Sequence, residues 1–481
     1  MSFQFSHNFS LRLTLSMAVA CGIGGCSMAP AYERPVVALP ATLAQPLGTA
    51  PELPPDGQLP ALNGQERSFI GGLSPGQDLA PLLRRALAHN ADYRLAALQV
   101  EQARAQYRIE RAARLPSIGV QAQANRQHFD NAAMQERYGQ NIYSAGVGVN
   151  SHELDFFGRL KSLSGAASER LLASDAGREA ARGALLAEVL RTWALYGFAA
   201  QAHAQWQAID ADTAALLAFA TRQAQVGLIS PDQLQLQRLR AEQANLAARQ
   251  AGDQVRAVRR ALRLLAGEQA PEAAAMALAA GQPLPGIAEL PSQLLLQRPD
   301  IRQAEADLRA ANADIGAARA AFFPMIRLST SIGSASSALD GLFKAGSGMW
   351  SFAPELLLPV FDAGRNQANL DLAITRKQAG VIAYEKTIEA AFREVGDALD
   401  THATALLGEQ RLREQHRLAG VRIERATRRT AQGLAARQDL LAERIDAGQL
   451  ALDYQQARRD LMVSRIALFQ AFYGVALPTA L

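Results

Sequence analysis

Asp92 to Pro116, DYRLAALQVEQARAQYRIERAARLP, aligns without a gap on Asp300 to Pro324, DIRQAEADLRAANADIGAARAAFFP, 208 residues further on. Asp92/Asp300, Arg94/Arg302, Ala96/Ala304, Ala103/Ala311, Ala105/Ala313, Arg111/Arg319, Ala112/Ala320, Ala113/Ala321 and Pro116/Pro324 are identical. Two later landmarks recur in the same order, each 206 residues apart: Gly158-Arg159 with Gly364-Arg365, and Gly227-Leu228 with Gly433-Leu434. Solenoid units repeat every ~20–50 residues, so this spacing marks a duplicated structural unit rather than a solenoid.

Proline punctuates the chain. None occurs between Pro116 and Pro231, or between Pro359 and Pro478. Those gaps are rich in Ala, Leu, Gln, Arg and Glu, which favour helix. Apolar residues such as Leu171, Leu172, Leu185, Leu186, Val189, Leu190, Trp193 and Tyr196 recur at helical spacing. A helix of ~65 residues would be roughly 100 Å long. Each long helix ends at a Gly-Leu, and a second helix returns. After Gly227, Ser230-Pro231-Asp232-Gln233 offers an N-cap, a proline at the first helical position and a capping-box Gln. The second copy lacks that cap, which makes its tip the better candidate for a moving gate.

Strand signals lie between the first helix and the long hairpin of each copy. Ile118, Val120, Ala122 and Ala124 alternate with Gly119, Gln121, Gln123 and Asn125. Tyr143, Ala145, Val147 and Val149 form a second strand, Ile326, Leu328, Thr330 and Ile332 a third, and a fourth begins near Trp350 and Phe352. One apolar face and one polar or tiny face fit a lipid-facing barrel with a wet lumen. A half-buried strand of a soluble sandwich alternates identically. The long flanking helices and the clustered Phe156, Phe157, Phe322, Phe323, Trp350, Phe352 and Phe361 favour the barrel. Four strands cannot close, and open edges in lipid leave backbone groups unpaired. Three copies supply about 12 strands, within the range of outer-membrane barrels. The expected fold class is therefore mainly α with a β-barrel portion: long helical hairpins forming a tunnel, and four transmembrane strands per chain.

The expected organisation is as follows. A signal peptide occupies 1–25 and a lipidated, extended, Pro-rich arm occupies 26–77. The first repeat spans 78–266, with strands at about 117–156 and a hairpin at about 160–266. A Pro-rich connector covers 267–297. The second repeat spans 298–474, with strands at about 325–359 and a hairpin at about 362–474, and a tail follows at 475–481.

Arg12, the apolar run Leu13 to Ile23 and the small residues Gly24-Gly25 make an export signal. Cys26 follows directly, which fits a lipidation site or an ordinary signal peptide with a chance cysteine. Only Cys21 and Cys26 occur, and Cys21 leaves with the signal, so the mature chain has no internal disulfide. Lys and Arg number 49 against 45 Asp and Glu. That near balance argues against a nucleic-acid footprint. Beyond Ile23 no apolar run reaches the ~18 residues of a spanning helix, so a membrane crossing needs strands. No HExxH or GxxxxGK[ST] is present, and neither a GxGxxG nor a GxSxG elbow stands at a strand–helix turn. No enzyme activity, cofactor or metal site is expected.

Several stretches are similar to those of the outer-membrane factor (TolC-like) family, in its lipidated NodT-type branch serving resistance-nodulation-division (RND) efflux pumps. They are Cys26 followed by Met28-Ala29-Pro30-Ala31-Tyr32-Glu33-Arg34-Pro35, Gln297-Arg298-Pro299-Asp300-Ile301-Arg302, Ile315-Gly316-Ala317-Ala318-Arg319, and Phe361-Asp362-Ala363-Gly364-Arg365. The resemblance covers nearly the whole mature chain. It implies a homotrimer in outer-membrane lipid, anchored through an N-palmitoyl, S-diacylglycerol Cys26, with a 12-stranded barrel and a periplasmic helical tunnel. It implies two partners, a periplasmic adaptor (membrane-fusion) protein and an inner-membrane RND-type pump. Gly227, Leu228, Gly433 and Leu434 would lie in the adaptor-docking tips. Many relatives carry a Leu and, one turn later, an Asp at the aperture. Here those positions are Gln438 and Ala442, with Asp439, Glu443 and Asp446 nearby. Asp439 and Glu443 fit an aperture or a solvated helix face. The implied function is a passive exit duct for drugs or other toxic small molecules. A type I secretion duct and a pore-less scaffold lipoprotein are the competing readings.

Overall fold

The computed structural model describes residues 28–35, 59–73, 78–267 and 291–475 of the chain. The expected signal peptide, Cys26, most of the expected connector and the residues beyond Val475 lie outside the described residues. The chain divides into Met1–Pro51 and Glu52–Leu481. In the first unit, residues 28–35 are exposed and form no helix or strand.

Each copy of the repeat builds a 22-residue helix, two strands and a long helical hairpin, and the first copy adds two short helices. The first contains α2 (Ala80–His89), α3 (Ala91–Ala112), β1 (Ile118–Gln127), the short α4 (Ala132–Tyr138), β2 (Gln140–Leu154), α5 (Arg159–Gln225) and α6 (Pro231–Ala266). The second contains α7 (Pro299–Ala320), β3 (Met325–Ser336), β4 (Gly348–Leu357), α8 (Arg365–Ala431) and α9 (Arg437–Ala471). α3 and α7 are both 22 residues long. α5 and α8 are both 67, so each runs for about 100 Å.

One segment departs from the sequence expectation. Residues 59–73 are not part of an extended arm without a core. They carry α1 (Gly64–Leu73), with Leu59, Leu62, Ile70 and Leu73 buried. Its start is a capping box. Asn63 Oδ1 accepts from the Glu66 amide at 2.8 Å, and Glu66 Oε2 accepts from the Asn63 amide at 2.7 Å. The expected connector likewise ends in a 3-10 turn, Ser292–Gln297, that buries Leu295. Val475, expected in the tail, is also buried.

The helices lie side by side as staves. In the strand-proximal half the order is α3, α5, α7, α8; beyond it the order is α6, α5, α9, α8. The tight α5–α7 seam uses small residues, with Ala166, Ala176, Ala306 and Ala317 all buried. The largest apolar core gathers where α1 and α2 cross the staves, around Leu83, Leu186, Leu190, Trp193, Leu262, Met462 and Ile466. Full burial of each such side chain contributes about 1.5–3 kcal/mol. Among the described residues no helix is long and apolar enough to cross a membrane.

The four strands form one antiparallel sheet in the order β1-β2-β3-β4, leaving β1 and β4 as open edges. β4 begins at Gly348, two residues before the position expected.

Candidate functional site: channel wall and helical tips

Strand register converts the alternation into two surfaces. Val120 pairs with Val147, Val147 with Ile332, and Ile332 with Trp350, so one row across the sheet is apolar. The adjacent row, Gly119–Gly148–Ser331–Ser351, lies on the opposite face and is polar or tiny. Val120, Ile332 and Trp350 are 84%, 71% and 77% exposed. Large apolar side chains bared this far suit hydrocarbon rather than water. On the small-residue face, side chains at Gly148 and Gly333 would meet backbone oxygens of the neighbouring strand at 2.1 Å.

A bulge between Val149 and His152 resets the alternation. Ser151 takes φ 51, and its amide donates to Ser329 Oγ at 3.0 Å. The extra residue returns Leu154 to the apolar face opposite Ile326. Glu153, Arg327 and Glu355 then align on the polar face.

The strand-to-helix junctions are capped by carboxylates. Asp155 accepts from the Lys161 amide at 2.7 Å, and Asp362 from the amides of Gly364 and Asn366 at 3.0 and 2.9 Å. Both recurring glycines here are left-handed, Gly158 at φ 76 and Gly364 at φ 84. That conformation explains why the Gly-Arg landmark occurs twice. Glu153 holds Arg159 through two bonds of 2.8 and 2.5 Å. Phe157 and Phe323, one from each copy, stack at 4.8 Å beside a cavity of about 240 Å³ that also meets Arg365 and Asn366.

At the other end, both hairpins turn in the same way. Gly227 at φ 76 donates to Ala224 O, while the Leu228 amide donates to Gln223 O at 2.8 Å. Gly433 at φ 71 donates to Thr430 O, and the Leu434 amide to Arg429 O at 2.8 Å. This is a Schellman turn in each copy. It leaves Leu228 and Leu434 bare at 72% and 65% exposure. The first return helix carries the expected capping box between Ser230 and Gln233. The second is capped as well, which sequence reasoning missed. Asp439 accepts from the Ala436 amide at 3.3 Å, although Ala436 has no side-chain acceptor to complete a box. That half-cap weakens the expectation that only the first tip is secured.

Among the expected aperture residues, Asp439 is committed to this cap. Gln438 is half-buried and Ala442 exposed on the first turns of α9, and Glu443 faces Arg422 of α8 at 3.8 Å. Between the hairpins, Arg444 of α9 meets Asp212 of α5 at 3.0 Å. Burial pushes the Asp212 carboxyl up, and the Arg444 charge offsets part of that. Four residues on, Gly448 lies so close to α5 that a side chain there would meet Ile209 and Gln205 at 2.8 Å.

A buried cluster ties the start of the folded unit to its end. Glu66 accepts from Arg182 and, at 2.8 Å, from the Tyr473 hydroxyl. Burial alone would raise the Glu66 carboxyl; hydrogen bonds from Arg182, the Asn63 amide and Tyr473 outweigh it and hold it below the usual range. The same carboxylate raises Arg182, and burial followed by the Glu66 charge raises Tyr473. No group of three or more His, Cys, Asp or Glu suited to a metal ion occurs among the described residues.

Comparison with known proteins agrees with this architecture. The model of the family described as outer membrane efflux protein matches residues 82–268 and 290–472. The solvent efflux pump outer membrane protein SrpC of Pseudomonas putida is 36% identical over 403 residues, covering 81% of this chain and 83% of that protein. The cation efflux system protein CusC of Escherichia coli O6:H1 is 36% identical over 482 residues, covering 96% and 98%. The crystal structure of the open state of the Neisseria gonorrhoeae MtrE outer membrane channel superposes with a TM-score of 0.70 at 31% identity, covering 93% of this chain and 98% of that one. The lipid-suited strand face, the paired 100 Å hairpins and these matches lead to one assignment: the chain belongs to the outer membrane efflux protein family and is an outer-membrane efflux channel.

Proposed function

We propose that three copies of this chain close into a 12-stranded barrel and a continuous helical tunnel, forming the passive exit duct of a tripartite pump. The open edges of β1 and β4 carry this reading. Unpaired strand edges in hydrocarbon cost several kcal/mol per backbone group, and a closed ring of chains removes them. A periplasmic adaptor docks on the tips at Gly227, Leu228, Gly433 and Leu434, and an inner-membrane RND-type pump supplies the energy. The bare leucines at both turns support that surface. The relatives are named for solvents and cations, so the cargo is a toxic small molecule or ion rather than a polypeptide. Cys26, after Ile23-Gly24-Gly25, is the lipidated residue that anchors the arm. Gln438, Asp439, Ala442 and Glu443 border the aperture.

Single-channel recording and mass measurement of protein purified from outer membranes test this reading. A heat-stable trimer with stepwise conductance is expected. A monomer without conductance overturns it.

A further inference from the structure

The Gly-Arg landmark puts an arginine at the first position of each long helix, Arg159 on α5 and Arg365 on α8. The two differ in what holds them. Arg159 is clamped through two bonds by Glu153, six residues before it. Six residues before Arg365 stands Pro359, so the second copy has no carboxylate there. Asp362 does not take its place, since its two oxygens accept from the amides of Gly364 and Asn366. The Arg365 side chain is exposed and has no hydrogen bond or ion pair among the described residues.

Both arginines line the cavity of about 240 Å³ at the strand-to-helix junction. Its aromatic wall is the Phe157–Phe323 stack, two rings 16° from parallel and each about half exposed. Its strand wall is formed by Glu153, Met325 and Leu357. All three share the sheet face of Ser331 and Ser351, the face suited to the wet lumen. The cavity therefore belongs to the side of the wall that cargo passes, not to the hydrocarbon side.

We infer that this cavity is a subsite for an amphipathic organic anion. Its ring packs on Phe157 and Phe323, and its carboxylate or sulfonate takes the free guanidinium of Arg365. This rests on the exit-duct reading above and adds a cargo class to it. The planar fork of an arginine matches a carboxylate with two parallel bonds, as Arg159 already shows with Glu153. Arg159 cannot serve, because its own carboxylate neutralises it. Pockets for whole drugs run to about 300–1,000 Å³. This one takes one or two fused rings with their anionic group. An exposed guanidinium holds such a group weakly, which suits a duct that must release what it binds.

Current block in phosphatidylcholine bilayers tests the subsite, with the full-length protein purified from outer membranes. The probes are 2-naphthoate and its neutral analogue 2-naphthylmethanol, and the readout is the ratio of their blocking concentrations within each channel. Wild type is expected to be blocked by the acid at about tenfold lower concentration than by the alcohol. Arg365→Gln is expected to bring the ratio close to one. Pro359→Glu supplies the carboxylate that Arg159 has, and is expected to do the same with the guanidinium still present. Phe157→Ala is expected to weaken block by both probes. A conducting trimer that neither probe blocks, or a wild-type ratio that both Arg365→Gln and Pro359→Glu leave unchanged, overturns the subsite and leaves the duct standing. An anionic phospholipid retained by wild type and lost from Arg365→Gln in native mass spectrometry assigns the cavity to a lipid headgroup and overturns the cargo assignment. A wild-type protein without trimer or conductance overturns the duct and the subsite together.

Discussion

Arg182 grips Glu66 with Nε at 2.7 Å and a terminal guanidinium nitrogen at 2.9 Å, joining α1 to α5 across 116 residues of sequence. Glu66 is completely buried, and its remaining capacity is filled by Asn63 and Tyr473. The bond fastens the segment that follows the N-terminal arm to the middle of a tunnel stave.

Removing one partner of this pair leaves the other buried and uncompensated, which costs about 3–5 kcal/mol. Glu66→Ala is expected to lower the thermal unfolding temperature and the yield of folded protein sharply. Glu66→Gln keeps part of the hydrogen bonding and is expected to lose less. The carboxyl is held below its usual range, so its contribution is present at neutral pH and fades as pH drops below about 4.5. Calorimetry of wild type and Glu66→Gln at pH 7 and pH 4 checks this. An equal gap at both values would contradict the assignment.

His402 gives the opposite end of the pH scale. It lies buried between α8 and α9, and its Nδ1 is 3.1 Å from Ser464 Oγ. Ser464 already donates to Leu461 O at 2.8 Å, so it accepts from His402, and Nε2 is left bare and buried. Burial, and secondarily the nearby Arg465 charge, push the imidazole below its usual range. A group depressed this way binds its proton more readily when unfolded, so stability falls as pH drops below about 6.5. Wild type is expected to lose more unfolding temperature between pH 7.5 and pH 5.5 than His402→Gln does. Parallel losses in the two proteins would remove His402 from the explanation.

The two faces of the sheet separate in a charge scan. An arginine at a lipid-facing position near mid-strand costs about 2–4 kcal/mol. Ile332→Arg is therefore expected to deplete assembled protein from the outer membrane. Gln121→Arg, on the polar face, is expected to assemble normally and to alter ion selectivity. Quantifying heat-stable assemblies in membrane fractions distinguishes the two.

Much of this arrangement was legible in the sequence because the duplication is written there twice. Gly158, Gly227, Gly364 and Gly433 all occupy left-handed turns, and such turns leave glycine as their visible trace. The alternation around Val120 and Ile332 identified the faces. The bulge at Ser151 was not legible, since serine at positive φ follows from pairing across strands rather than from local preference. The α1 segment was hidden by the prolines that flank it, Pro60 and Pro75, although Asn63-Gly64-Gln65-Glu66 carries a capping signal. The Glu66–Tyr473 contact joins residues 407 apart, and no single-sequence pattern announces such a pair. At the aperture, Asp439 read as a free carboxylate because its partner is a backbone amide.

The tips allow turn-making and docking to be told apart. Gly433 needs a left-handed backbone, which costs most other residues about 1–2 kcal/mol, while Asn adopts it with little strain. Leu434 contributes an exposed side chain that the turn itself does not use. If the tip is the adaptor surface, Leu434→Asp lowers capture of the pump's periplasmic adaptor at least tenfold and leaves the trimer intact. Gly433→Asn keeps the turn and is expected to retain capture, while Gly433→Val distorts it and is expected to lose capture. The matching pair at Leu228 and Gly227 extends the test to the first hairpin. Surface-plasmon measurements against the purified adaptor read both series. Unchanged affinity for Leu434→Asp and Leu228→Asp together would reduce these glycines to turn residues and place docking elsewhere on the tunnel.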